Sequence, residues 1–109
     1  MVWTAWNNGG HLASGAGYGF KLDGADRDLH FSPDWESVQI RLPEHDGYSV
    51  AVVNVDKKSF WGARCREVIS RDIGKWLNDQ GHAPWPKGNP PRFEVRGRGE
   101  PVFEIVRRV

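Results

Sequence analysis

The sequence predicts an α+β fold: a mostly antiparallel sheet with one amphipathic helix packed on one face. Three observations point there. Apolar and polar residues alternate in short runs, broken by Gly and Asp-Gly turn signals, on both sides of residues 60–80. Residues 60–80 instead carry an apolar stripe of helical period. The chain has 109 residues, 39% hydrophobic and 27% charged, which suits one globular domain over 1–109. Strands grouped before a single helix, with more strands after it, indicate α+β rather than an alternating α/β layout.

Val2–Trp6 reads as the first strand. Asn7–Gly15 is a loop by composition. In Ala16–Leu22, Tyr18, Phe20 and Leu22 alternate with Gly17, Gly19 and Lys21, the pattern of a half-buried strand. Those glycines are expected to make room for a large ring, such as a Trp, across the strand. Asp23-Gly24 signals a turn, and Asp26–Phe31 reads as either a short strand or a helical turn. Val38, Ile40 and Leu42 alternate with Gln39 and Arg41; after Asp46-Gly47 comes the largely apolar run Tyr48–Val55, which reads as a central strand. These two runs form an expected antiparallel hairpin with a longer loop.

The predicted helix spans about residues 60–80. Trp61, Cys65, Val68, Ile69, Ile73, Trp76 and Leu77 fall on one face at 3.6 residues per turn. Ser59 is the expected N-cap, Gly81 suits the left-handed position after the last turn, and Pro84 blocks continuation. Gly74 inside the helix costs about 1 kcal/mol relative to Ala, which suggests that another backbone packs close to it. The segment His82–Pro91 holds four prolines and reads as a stiff extended loop. Arg92–Arg96 and Val102–Val106 form a final pair of strands around Gly97-Arg98-Gly99.

No apolar run approaches the ~20 residues that span a bilayer, and Met1–Trp6 lacks the pattern of a signal peptide. Cys65 is the only cysteine, so an intramolecular disulfide and a four-cysteine zinc site are excluded, and a cytoplasmic location is the expectation. No metal or cofactor is expected. Charge is uneven: residues 1–59 carry a net −3 and residues 60–109 a net +4.

Two stretches carry a resemblance. One is Trp6-Asn7-Asn8-Gly9 followed by Ser14-Gly15-Ala16-Gly17-Tyr18-Gly19; the other is Ala83-Pro84-Trp85-Pro86-Lys87-Gly88 followed by Pro90-Pro91-Arg92-Phe93. In these the chain resembles small standalone bacterial proteins with no assigned function. The resemblance implies a bacterial origin and a self-contained domain, and it implies no activity.

Most residue patterns that could carry chemistry have a plain structural reading. Gly15–Gly19 matches no phosphate-loop spacing and precedes no helix pattern. Asp23, Asp26 and Asp28 lack the ligand pattern of a calcium loop and read as a surface turn. His11, in the Gly-rich loop, is the one histidine worth testing as a base. Cys65, on the apolar helix face, is expected in the core. Asp34 before one strand, with Asp56-Lys57-Lys58 closing the next, resembles the PD-(D/E)xK nuclease pattern; Asp34 and Asp56 would hold Mg²⁺ and Lys58 would orient a water.

The leading reading is a non-enzymatic binding module for nucleic acid or a protein partner, with the nuclease as an alternative. Arg64, Arg71 and Lys75 form an expected basic stripe on the helix, and Lys87, Arg92, Arg96 and Arg98 continue it. Trp85, held between two prolines, is the expected aromatic beside them, able to stack a base while the charges neutralise phosphates. A third reading is self-association into a homo-oligomer, because six tryptophans crowd a core of this size.

Overall fold

A computed structural model describes residues 1–109. In chain order the elements are β1 (Val2–Asn7), β2 (Tyr18–Lys21), α1 (Gly24–His30), β3 (Ser37–Glu44), β4 (Gly47–Asn54), α2 (Lys58–Trp61), β5 (Glu67–Ile69), α3 (Arg71–Asp79), β6 (Arg92–Gly97) and β7 (Val102–Arg108). The strands form one sheet in the order β4-β3-β7-β6-β1-β2-β5. Every neighbouring pair is antiparallel except β3 with β7. The sheet curls until its end strands β4 and β5 come near each other, which makes a nearly closed barrel with three short helices. The α+β class is as expected; the simple sheet with a helix on one face is not.

The barrel follows from which side chains point inward. Trp3 and Ala5 of β1, Tyr18 and Phe20 of β2, Val38, Ile40 and Leu42 of β3, Phe93 and Val95 of β6, and Phe103 and Ile105 of β7 are all buried. They alternate with residues on the outer wall, as the period of two requires. Trp3 sits amid Phe20, Phe31 and Phe103, with ring centroids 5.9, 6.2 and 5.5 Å away. Burying each such side chain contributes about 1.5–3 kcal/mol, and these rings fill the barrel's interior. The β3–β4 hairpin closes with Glu44 opposite Gly47, so its loop is only His45 and Asp46, shorter than expected.

The predicted long helix is broken into three pieces. α2 ends at Trp61, where Gly62 turns extended (φ −77°, ψ 174°). Glu67–Ile69 then becomes a strand on the free edge of β2, with Phe20 opposite Val68. Without β5 that edge would be left unpaired, and satisfying its backbone groups outweighs the weak helical preference of Val and Ile. Gly19 permits the pairing: a Cβ there would meet the Val68 carbonyl and lie 3.0 Å from Ile69 Cα. Trp6 does stand opposite Gly19, but the missing side chain's space belongs to the β5 backbone.

α3 has its own N-cap. Ser70, not Ser59, accepts a hydrogen bond from the Asp72 N–H at 3.1 Å. Its buried face is Ile73, Gly74, Trp76 and Leu77, and the Trp76 indole N–H donates to the Pro43 carbonyl at 2.8 Å. Gly81 takes the expected left-handed conformation (φ +76°). Gly74 faces Gly15, whose Cα would lie 2.6 Å from an added Cβ, so the close backbone expected from the sequence is the Gly-rich loop. Cys65 and Arg64 lie exposed in the α2–β5 connection, because the helix that would have carried them does not form.

Residues 24–30 resolve as α1, capped by Asp23. Its Arg27 is buried and donates to the Phe60 carbonyl at 2.9 Å and the Gly62 carbonyl at 2.6 Å, while pairing with Asp28 at 2.9 Å. The guanidinium thereby satisfies carbonyls at the end of α2 and ties the two helices together. No helix is long and apolar enough to cross a membrane.

Candidate functional site

The outer wall of β2, β1 and β6 brings cations together from distant parts of the chain. Because Trp3 and Ala5 point inward, Val2, Thr4 and Trp6 point outward. Thr4 pairs with Lys21 on one side and with Arg92 on the other. Strands lie about 4.8 Å apart, so Lys21, Thr4 and Arg92 form one row about 10 Å long. Arg66 joins the row from the α2–β5 connection, its Nε donating to the Leu22 carbonyl at 2.9 Å and its Nη1 to the Ala63 carbonyl.

These side chains line a cleft of about 540 Å³, together with Asp23 and Asp26. The Asp23 side chain accepts from the Ala25 N–H at 3.5 Å as the α1 cap. The only ion pairs in the molecule are Arg27–Asp28, Arg98–Glu104 and Arg107–Glu94. Lys21, Arg66 and Arg92 form none of these pairs; with Asp23 and Asp26 in the same cleft, three cations face two carboxylates beside the Thr4 hydroxyl. That donor set suits an anion with several oxygens, such as a phosphate group.

The predicted binding residues separate into three places. Arg92 lines the cleft. Arg64 and Lys87 are exposed in the connections that lead to Arg66 and to Arg92. Arg71 and Lys75 are exposed on α3, and Lys75 lines a different groove, about 320 Å³, with Glu44, Asp72 and Asp79. Carboxylates there outnumber the lysine, so the expected stripe is not continuous: Arg64 has left the helix and Lys75 has acidic company. Arg98 is paired with Glu104, and Arg96 is exposed on β6.

Trp85 is half-buried and packs on the core. Its ring lies edge-on to His11 and Tyr18, at 4.7 and 5.7 Å. The two stretches that carry the resemblance thus meet in space. Asn7 Oδ1 accepts from the Gly9 N–H at 3.0 Å, which directs its NH₂ toward His11 Nε2, also at 3.0 Å. The other ring nitrogen, Nδ1, lies 2.8 Å from the Tyr18 hydroxyl, within hydrogen-bond distance. Burial pushes the Tyr18 pKa up, an effect that Asn78 moderates, so the hydroxyl stays protonated. No family model, curated protein or solved structure matches the chain. The roles of these residues therefore rest on geometry. Asn7 and Tyr18 engage the two ring nitrogens of His11, and the cluster clasps the Gly-rich loop to β1 and β2.

The nuclease candidates do not assemble into a cation site. Asp34 is exposed in the turn before β3, Asp56 is exposed just after β4, and Lys58 opens α2. The Asp56 N–H is held by Asn54 Oδ1 at 2.8 Å. No group of three or more His, Cys, Asp or Glu side chains is placed so that it could hold a metal ion. Of the acidic cluster, Asp23 caps α1, Asp28 pairs with Arg27 and Asp26 lines the basic cleft.

Lys21 and Arg66 escape attention in the sequence because each looks ordinary in its own segment. The outward alternation of Val2, Thr4 and Trp6 is visible there. The pairing of β1 with both β2 and β6, which makes the row, is not.

Proposed function

We propose that this chain is a non-enzymatic nucleic-acid-binding module that holds phosphates on the β2–β1–β6 wall. One observation carries the reading: Lys21, Arg66 and Arg92 converge on one cleft, and none of them forms an ion pair. Arg64 and Lys87 are exposed on the connections that lead to Arg66 and to Arg92. Neutralising about three phosphates predicts a plot of log affinity against log salt with a slope of roughly −2 to −3. Anisotropy titrations with a fluorescent 12-mer at several salt concentrations test this. Arg92→Gln and Lys21→Gln should each weaken binding to any sequence and flatten the slope by about 1. Undetectable binding at low salt, or a slope near zero, rejects the reading.

A second reading, a protein partner or a second copy, is favoured by a different surface. Tyr48, Val50 and Val52 on the outer face of β4 are 53%, 41% and 60% exposed, and the Arg41 guanidinium lies 4.9 Å from the Tyr48 ring centroid. Tyr and Arg beside apolar residues are common interface anchors. Here the self-association expected from crowded tryptophans would rest on β4 instead. Sedimentation over a wide concentration range tests it: association that Val52→Glu abolishes supports it, and a monomer throughout counts against it.

A further inference from the structure

Five of the six tryptophans have an evident structural role. Trp3 and Trp76 are buried, while Trp35, Trp61 and Trp85 pack against the core. Each of the five also has an aromatic neighbour. Trp6 has neither: it is half-buried on the outer wall, outside the core cluster, with no ring partner. It faces Gly19 across the strand pair, so no side chain stands opposite it there. The registers Thr4↔Lys21 and Thr4↔Arg92 make Lys21 and Arg92 its diagonal neighbours, one on each side. Diagonal cross-strand neighbours are about 7–8 Å apart, within reach of long side chains.

We propose that Trp6 is a base-stacking platform and that the module's ligand is single-stranded nucleic acid. The inference rests on the phosphate-binding reading of the same wall and adds the class of strand. A base laid on the indole leaves its own backbone beside Lys21 and Arg92, which take the flanking phosphates. Such stacking requires an unpaired base, because in a duplex the ring faces are already stacked on their neighbours. Every base offers a π-face, so the platform tolerates sequence while selecting strandedness.

The test compares a dT₁₂ oligonucleotide with a 12-base-pair duplex at equal salt. The single strand should bind more tightly. Trp6→Ala should weaken dT₁₂ binding by roughly 5- to 150-fold, leave its salt slope unchanged, and barely affect the duplex. Trp6→Phe should restore most of the lost affinity. Because Trp6 is half-buried and lies outside the core, Trp6→Ala should lower the unfolding midpoint by only a few degrees and Trp6→Phe by less, so both stay folded in the binding assay, which separates lost stacking from lost fold. Equal binding of dT₁₂ and duplex, with Trp6→Ala silent while Arg92→Gln still weakens binding, overturns the platform and leaves the phosphate reading standing. No binding of either ligand at low salt overturns both.

Discussion

Replacing Gly74 with alanine sets two effects against each other. Helix propensity alone favours alanine by about 1 kcal/mol at an interior helical position. Against this, the new Cβ would lie 2.6 Å from Gly15 Cα and 2.7 Å from Gly15 C, well inside van der Waals contact. Both partners are backbone, one in α3 and one in the Gly-rich loop, so no rotamer change relieves the clash. Overpacking costs about 1–3 kcal/mol, and a backbone–backbone clash belongs at the upper end. The net expectation is a loss of about 2 kcal/mol. With an unfolding entropy of about 2.1 cal/mol/K per residue, that lowers the melting temperature of a chain this size by about 9 °C. Thermal and urea unfolding followed by circular dichroism measure it directly. The loop should also loosen, with faster amide exchange at Gly15–Gly17. A Gly74→Ala variant as stable as wild type, or more so, refutes the close approach of loop and helix.

Three further outcomes are expected. Arg27→Met should cost about 2–4 kcal/mol in urea unfolding, since it strips the buried Phe60 carbonyl and the part-buried Gly62 carbonyl of their donor; a loss under 1 kcal/mol would show that water replaces the guanidinium. His82 packs against the rings of both Trp76 and Phe93, and burial, then the charge of Arg108, lowers its pKa below the ordinary 6.5. The native state therefore holds His82 neutral, so its contribution to stability is complete above about pH 6.5 and is lost as pH falls from there through the folded pKa. Melting temperatures between pH 7.5 and 5 should fall less steeply in His82→Gln, and parallel profiles would refute the assignment. Cys65 should react with a thiol reagent such as Ellman's in the native state without any unfolding step, because it is exposed; protection that denaturant relieves would restore the buried helical position.

The alternation of β2 and β3 is legible because each is a local pattern with period two, and β1, β6 and β7 also read as strands. Tyr48–Val55 reads as a central strand because it is largely apolar, yet β4 ends the sheet and leaves Tyr48, Val50 and Val52 exposed. Residues 58–79 mislead for a specific reason. Val68, Ile73, Trp76 and Leu77 are all buried, as a helical stripe requires, yet Val68 reaches the core from a strand and the others from α3. A stripe at helical spacing cannot tell one long helix from a strand and a helix that both face inward. The local signal that separates them is Ser70 followed by Asp72, a second N-cap inside the supposed helix. Gly62 marks the earlier break. The free edge of β2 then decides the outcome, and that edge exists only once the sheet has formed.

The same logic explains why the basic wall is hard to read. Lys21, Arg66 and Arg92 are separated by 45 and 26 residues in the chain, and no spacing rule joins them. The stripe read along one helix is instead a local feature, and folding disperses it: Arg64 goes to a connection, and Lys75 turns toward Glu44, Asp72 and Asp79. Register does the opposite for Thr4, which draws Lys21 from one partner strand and Arg92 from the other. A one-residue slip in either pairing would move Trp6's diagonal cation to the opposite face of its strand, into the core. Phe20 opposite Ala5 and Phe93 opposite Trp3 prevent that slip, because both rings must point inward. The aromatic core is therefore what places the cations beside Trp6. A mutation that relaxes the register, such as Phe93→Ser, should weaken nucleic-acid binding along with stability. Arg92→Gln should weaken binding alone.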